Sequence, residues 1–450
     1  MSESTYDKFA GLAALRPARR TRGSVRTDER EDDHPRRELI AEWAELAEIV
    51  GAKVASNRHG EHLTVARWHA RPEECAPAAR ALQVLLPPAL DAGDRGARLA
   101  EDPHRWLFLD TETTGLAGGT GTYAFLIGIA WWDAGGLQVE QLFMRDHTEE
   151  HSVLLELSER MAERPVLVTF NGKSFDWPLL ETRYRMTRAI RAPALAAHLD
   201  LLHPARQLWR MRLPSVRLTD LERHVLADAG PLAWTRRGDL DSALIPQLYF
   251  DHLRGAGSTP LATVFRHNEM DLRALAMLSA RICGLLGGEP EAPANRSPER
   301  ALDLYGMSRL LGRRRDSRAR PACEMALATG LPGGVARMAQ RELAQLAKRQ
   351  RDYARAAAIW EELAAAHGTS AAESAIEACE QLAIHFEHRA REPQRAAEWT
   401  ETALRQLRAA KSLEPARARR LEARLAHRQQ RLARKGIALL APPPPAHRAL

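Results

Sequence analysis

The stretch Trp106-Leu107-Phe108-Leu109-Asp110-Thr111-Glu112-Thr113-Thr114-Gly115-Leu116 decides how the rest of the chain is read. Four apolar residues in a row predict a buried strand, which ends in two carboxylates and runs into a Gly/Thr-rich turn reaching Thr122. Residues i and i+2 of a strand share a face, so Asp110 and Glu112 project together at the strand end. Two converging carboxylates are hard oxygen donors suited to Mg²⁺ or Mn²⁺. In a chain with 58 acidic residues a bare Asp-x-Glu is ordinarily solvated charge. The apolar run before this copy and the Thr-Thr-Gly-Leu turn after it set it apart.

Outward from this point, residues 123–132 read as a buried strand, 133–136 as a hairpin turn and 137–144 as a third strand. A helix is predicted over 149–163, with Val153, Leu154, Leu157 and Met161 on one face. Residues 166–170 form a fourth strand. After a loop at 171–174 a helix starts near Trp177, with Pro178 in its first turn. Residues 199–202 supply a fifth strand, and helices follow over 218–226 and 261–286. A three-strand meander followed by two strands separated by helices predicts an α/β domain. Its mixed five-stranded sheet would be flanked by helices.

The chain has 450 residues, 45% hydrophobic and 27% charged, which is enough for two or three domains and a sizeable core. Residues 1–37 mix nine basic with seven acidic residues without sustained periodicity and read as a flexible arm. Residues 38–100 form a small extension, with helical spacing over 37–50 and strand-like alternation over 62–68. The α/β domain occupies 101–290 and closes before a Gly/Pro-rich stretch at 287–298. Residues 299–435 are helical throughout. Weakly repeated segments at Arg320, Arg355 and Arg395 make tetratricopeptide-like helix pairs the expected arrangement, against a plain bundle. Residues 436–450 end the chain in a Pro-rich tail.

Two further segments carry chemistry. In Phe170-Asn171-Gly172-Lys173-Ser174-Phe175-Asp176-Trp177-Pro178-Leu179-Leu180, Asp176 stands where a strand-to-helix connection opens. Alone it would be a helix cap; beside the first motif it reads as a metal ligand. In His267-Asn268-Glu269-Met270-Asp271, His267 and Asp271 are i and i+4 and share a helix face. A histidine next to a carboxylate at a metal site can take a proton from an attacking water. Glu269 falls on a different face and reads as bystander charge.

These three motifs, in this order, resemble the DEDD exonucleases of the ribonuclease H-like superfamily, and more narrowly their bacterial YprB-like branch. The segments at 198–204, 217–222 and 245–249 add to the likeness, which covers about residues 100–286. The resemblance implies a hydrolase, a metal-dependent 3′–5′ exonuclease using two divalent cations, Mg²⁺ or Mn²⁺. Asp110 would bridge both ions, Glu112 and Asp271 would complete one site, Asp176 would hold the other, and His267 would orient or deprotonate the water. Thr113, Thr114 and Leu116 match the loop that contacts the terminal nucleotide in such enzymes. Asn171 and Phe175 join them as substrate-binding candidates. The histidine sits four residues before the last aspartate, where the two common subtypes carry a histidine five before or a tyrosine four before. Asp200, after an apolar run, is an extra candidate carboxylate.

The net charge is +7, and only six of the 65 basic residues are lysines, which leaves 59 arginines. Arginine suits phosphate recognition, although an Arg/Ala-rich composition also follows from a GC-rich genome. Residues 417–435 carry eight basic residues against Glu422, with Leu421, Leu425 and Leu432 on one face, and read equally as a phosphate-binding or a solvated helix. Arg206, Trp209, Arg210 and Arg212 form an aromatic-basic cluster that either contacts a single strand or packs in the core. The expected partner is single-stranded DNA or RNA, with a protein partner for the helical repeats and no membrane. Four scattered cysteines exclude a disulfide framework, and no apolar segment after the N-terminus suggests a secretory signal, so a cytoplasmic location is expected. Rival readings are a structure-selective endonuclease and a catalytically silent scaffold.

Overall fold

The computed structural model describes residues 43–70, 79–86, 95–115, 120–227, 236, 239–291, 296–366, 372–410 and 413–440. Its elements are helix α1 (43–50), strands β1 (Lys53–Asn57) and β2 (Gly60–Ala70), helices α2 (Ala79–Leu85) and α3 (Arg95–Ala100), and strands β3 (Trp106–Thr113), β4 (Ala124–Asp133) and β5 (Gly136–Phe143). Next come α4 (Glu150–Glu163), β6 (Val166–Thr169), α5 (Asp176–Thr187), β7 (Ala197–Asp200), α6 (Leu202–Trp209), α7 (Leu218–Leu221), α8 (Ile245–His252) and α9 (Thr259–Gly287). The arm at 1–37 lies outside the described residues.

The sheet has seven strands in the order β1-β2-β5-β4-β3-β6-β7, not the five expected. The two additional strands come from the extension: β2 pairs antiparallel with β5, from Leu63 opposite Phe143 to Ala70 opposite Gly136. The alternation over 62–68 marked a strand, but its partner lies about 70 residues downstream, and pairing at that separation leaves no local signature. The core strands form as their patterns dictate. β3 and β6 are apolar on both faces and pair in parallel, as buried parallel strands do. Ala134 and Gly135, both at positive φ, make the tight turn that joins β4 to β5.

One row of the sheet breaks the apolar rule. Asp110 on β3 stands opposite Gly128 on β4, which stands opposite Gln141 on β5. On one side of this row Phe108, Ala130 and Val139 belong to one apolar cluster; on the other, Leu126 and Phe143 belong to a second. Helix α9 crosses the row, contributing Leu261, Val264 and Phe265 to the second cluster and Leu272, Leu275 and Leu278 to the first. A 29-residue helix is therefore apolar along most of its length, with its polar residues concentrated at the crossing.

Seven helices follow: α10 (Pro298–Arg313), α11 (Ala319–Thr329), α12 (Gly333–Arg349), α13 (Tyr353–Ala364), α14 (Ala372–His385), α15 (Pro393–Ala409) and α16 (Pro415–Leu440), each packed on the next. No strand occurs among their described residues, and α16 continues through the first five residues of the expected tail. The stretch at 287–298 is not a break in the core, because a single apolar cluster runs from Trp106 on β3 to Leu432 on α16. The join is close. A Cβ on Gly306 of α10 would lie 2.1 Å from the carbonyl oxygen of Leu208 on α6, so only glycine admits this backbone approach. Arg318, buried, donates to the carbonyls of Leu286 (2.6 Å) and Gly288 (2.8 Å) and tethers the end of α9.

On the basic helix α16 four arginines are engaged by acids of the preceding helices. Arg417 pairs with Glu373 and Arg424 with Glu380 (Nε to Oε1 3.0 Å), while Arg428 and Arg431 both hold Glu387 at 2.6 and 2.7 Å. Glu387 is buried, so its two guanidiniums are structural counter-ions. Leu425 and Leu432 are buried as the helical face requires. Neither reading of 417–435 anticipated this packing: the helix is held through its apolar face and four ion pairs, while Arg419, Arg420 and Arg434 stay exposed. No described helix is long and apolar enough to cross a membrane, and Cys283, Cys323 and Cys379 are buried free thiols.

Candidate active site

The β3 strand delivers Asp110 and Glu112 to the end of the sheet on the face that α9 crosses. The register shift between Glu112 and Thr113 ends the ladder there. Asp176 arrives as the first residue of α5, and its carboxylate does not cap that helix. It accepts instead from the Thr111 hydroxyl on β3 at 2.6 Å. From α9, Asn268 donates to Asp110 Oδ2 at 2.8 Å while its own Oδ1 accepts from Gln141 at 2.9 Å. The polar row across the sheet is therefore a hydrogen-bonded relay that orients Asp110. Glycine at 128 leaves the room that Asn268 occupies.

The electrostatics follow from burial and like charge. Burial raises the proton affinity of Asp110 well above the usual carboxylate range, and Asp271, Glu112 and Asp176 raise it further. Glu112 is pushed up to about 8, by burial first and then by Asp271, Asp176 and Asp239, against the pull of His267. Asp176 is pushed up to about 6 by burial, with the Thr111 hydroxyl bond opposing. Four carboxylates sharing a buried corner are held at the cost of mutual repulsion.

A second layer supplies counter-charge, and the motifs did not show it. Arg236 is ion-paired at once to Asp271, to Glu222 (Nε to Oε2 2.7 Å) and to Asp239 (2.8 Å). Asp239 in turn meets His267 Nδ1 at 2.8 Å, and His267 Nε2 faces Ser242 Oγ (3.3 Å) and Asp271 Oδ2 (3.6 Å). Burial disfavours charge on His267, but Asp271, Asp239 and Glu112 outweigh it and hold the imidazolium above its usual range. Arg236 and Asp239 stand in a segment with no periodicity and outside the three motifs, so nothing in their local sequence set them apart.

The remaining candidates divide. Thr113 donates to the Gly115 carbonyl (2.9 Å), and Thr114 accepts from Tyr123 N–H (2.9 Å), so both hydroxyls close the turn after β3. Leu116 lies outside the described residues. Asn171 takes a left-handed conformation (φ 71°), and Phe175, next to Asp176, is 60% exposed. Asp200 is not aimed at the acids. Its carboxylate accepts from the backbone N–H of Asn171 (2.8 Å), Lys173 (3.1 Å) and Leu202 (3.1 Å), so it shapes the loop that leads to Asp176. Glu269 is not bystander charge: it is buried and pairs with Arg67 (2.6 Å) and His69 (3.1 Å), tying α9 to β2. Of the four members of the aromatic-basic cluster, Trp209 is buried in the core and Arg212 is ion-paired to Asp303 (3.1 Å).

The donor set suits a divalent cation. Buried carboxylates that raise one another's proton affinity are the chemistry that hard cations relieve. Among the described residues no three of these donors surround a common point, and three of the four acids are turned to a donor of the protein: Asp110 to Asn268, Asp176 to Thr111, Asp271 to Arg236.

Residues 107–283 match the model of the RNase H superfamily, RNase_H_2, and the mixed sheet with its helices fits an RNase H-like α/β domain, followed by a helical region. Among curated proteins the chain is similar to the uncharacterized protein YprB of Bacillus subtilis (strain 168). The two are 31% identical over 289 residues, 63% of this chain and 65% of YprB.

Proposed function

We propose that the chain is a metal-dependent hydrolase of phosphodiester bonds, a 3′–5′ exonuclease acting on single-stranded nucleic acid. The observation that carries the reading is the convergence of Asp110, Glu112, Asp176 and Asp271 from β3, α5 and α9 on one buried corner. Asp110, Glu112 and Asp271 would hold one divalent cation, and Asp110 and Asp176 a second, Mg²⁺ or Mn²⁺. Bound there, such ions supply Lewis-acid stabilisation to the attacking and leaving oxygens of an in-line displacement.

The chain's own groups do the rest. Asn268 and Gln141 fix the orientation of Asp110. His267 Nε2, beside Asp271, is placed to take the proton of the attacking water, and Asp239 at Nδ1 fixes the tautomer and stabilises the charge that forms. Asp239 is thus a positioning residue. The exposed ring of Phe175 is available to the terminal base, and Thr113, Thr114, Leu116 and Asn171 remain the further candidates for substrate contact. In this reading the seven-helix region is a tetratricopeptide-like platform for a protein partner, and the buried free cysteines suit a reducing cytoplasm.

The test is degradation of 3′- and 5′-labelled single-stranded DNA and RNA with Mn²⁺, Mg²⁺ or EDTA, beside Asp271→Asn. Stepwise release from the 3′ end that requires metal and Asp271 supports the proposal. Internal cuts would make the chain an endonuclease, and binding without cleavage under every metal would leave a scaffold.

Arg236 adds a signed expectation. It holds the Asp271 oxygens against a cation, so Arg236→Gln should tighten Mn²⁺ binding in titration calorimetry by about tenfold, the scale of one charged hydrogen bond. Unchanged or weaker binding would show that the guanidinium does not compete.

A further inference from the structure

Where the α/β domain meets the helical region, arginines outnumber acids. Arg206 and Arg210 are i and i+4 on the exposed side of α6 and its cap; Arg309 and Arg313 are i and i+4 on α10. These four line a cleft of about 410 Å³ with only Gln207 and Met211 beside them. Arg309 and Arg313 also line an adjoining cleft of about 770 Å³, which adds Arg315 and Arg349. Its two acids are engaged: Asp316 by Arg318 at 2.7 Å and Glu342 by Arg309 at 3.8 Å. Among the described residues Arg206, Arg210, Arg313, Arg315 and Arg349 meet no carboxylate, whereas Arg417, Arg424, Arg428 and Arg431 of α16 each meet one.

We propose that this groove between α6, α10 and α12 binds the phosphate backbone of a nucleic acid and leads the strand to the acidic corner. This rests on the nuclease reading and adds to it where the substrate outside the active site lies. Three observations select the ligand. Guanidinium forks at i, i+4 spacing match a row of phosphates, and the first cleft offers no acid to oppose them. A tightly held protein partner would need an aromatic or a broad apolar anchor; neither cleft is lined by an aromatic residue, and the large apolar side chains are Met211 in the first and Leu346 in the second, each among arginines. The groove is also tied to the site: α6 leaves directly from Asp200, whose carboxylate shapes the loop before Asp176. From Leu202 to Arg210 the helix advances about 12 Å, which a stacked strand crosses in about four nucleotides. The Gly306 contact holds α6 and α10 backbone to backbone, so the two arginine pairs keep their spacing. Without a stacking platform, binding should be independent of sequence and strongly dependent on salt.

The test is fluorescence anisotropy with labelled 30-nucleotide oligo(dT) in EDTA across a salt series. It compares the full chain, the exposed triple variant Arg206→Gln/Arg210→Gln/Arg313→Gln and a charge-matched control, Arg419→Gln/Arg420→Gln/Arg434→Gln on α16. The groove variant should bind at least tenfold more weakly at about 0.1 M salt, with a salt slope lower by about two, the value for three lost contacts to a single strand. The control should match the wild type. Equal loss in both variants, or in neither, overturns the groove, as does Arg-dependent binding of poly-glutamate with no binding of oligo(dT). Cleavage of labelled di- and trinucleotides, too short to reach the groove, is read in parallel. If it fails in the wild type under every metal while the anisotropy result holds, the nuclease reading fails and the groove stands; cleavage with unaltered oligo(dT) binding by the groove variant gives the reverse.

Discussion

Asp110→Asn is expected to abolish metal-dependent cleavage, by about 10³-fold or more, and at the same time to make the metal-free protein more stable. The two effects have one cause. Asp110 is the carboxylate on which Asp271, Glu112 and Asp176 all act, and its burial admits a charge only against that repulsion. The sign with pH follows. A carboxylate whose proton affinity is raised on folding binds more protons folded than unfolded, so stability falls as pH climbs from its unfolded to its folded value. For Glu112 that window runs from 4.5 to about 8, and for Asp176 from 3.8 to about 6. In EDTA the melting temperature of the wild type should therefore decline between about pH 4 and pH 8. In Asp110→Asn the decline should be shallower. At pH 7.5 the variant should melt about 5 °C higher, on a scale where 1 kcal/mol shifts a domain of this size by ~2–4 °C. Thermal scans in EDTA and in Mn²⁺ check it, and a variant that loses stability at pH 7.5 in EDTA would contradict the mutual repulsion.

The second large effect is expected at a residue with no chemistry of its own. Gly128→Ala should cost about 2–4 kcal/mol, and the activity should fall with it. Alanine is ordinarily the better residue in a strand interior, by roughly 0.5–1 kcal/mol over glycine, so the sign here is diagnostic. An added Cβ would lie 2.1 Å from Asn268 Oδ1 and 2.7 Å from its Cγ. Asn268 is fully buried, and turning it aside strands Gln141 and removes the bond that orients Asp110. Gly128→Ala/Asn268→Ala should regain much of the stability, because the methyl then has room. It should not regain activity, because Asp110 has lost its guide. Denaturant melts of the single and double variants decide this, and a neutral single variant would mean that α9 shifts freely over the sheet.

Much of this was legible along the chain. Asp110 and Glu112 could be placed on one strand face from period-two geometry, and His267 and Asp271 on one helix face from the i, i+4 rule. Both depend only on neighbours a few residues away. The same holds for the strands at 123–132 and 137–144, the turn between them and the helices around Leu154 and Leu275, whose patterns are local. Asn268 was quoted within a motif, yet its partnership with Asp110 required α9 to cross the row Asp110–Gly128–Gln141, which no spacing reveals.

The carboxylates and the element types thus follow from local pattern, because strand alternation and helical periodicity are written within a few residues. Long-range folding settled the rest. It added β1 and β2 to the sheet, set Arg236 and Asp239 against Asp271 and His267, and made four arginines of α16 counter-ions while Arg206 and Arg210 of α6 and its cap meet no carboxylate among the described residues. An arginine's role depends on which acid the fold brings within about 4 Å of it, and for the paired arginines of α16 those acids lie tens of residues away in the chain.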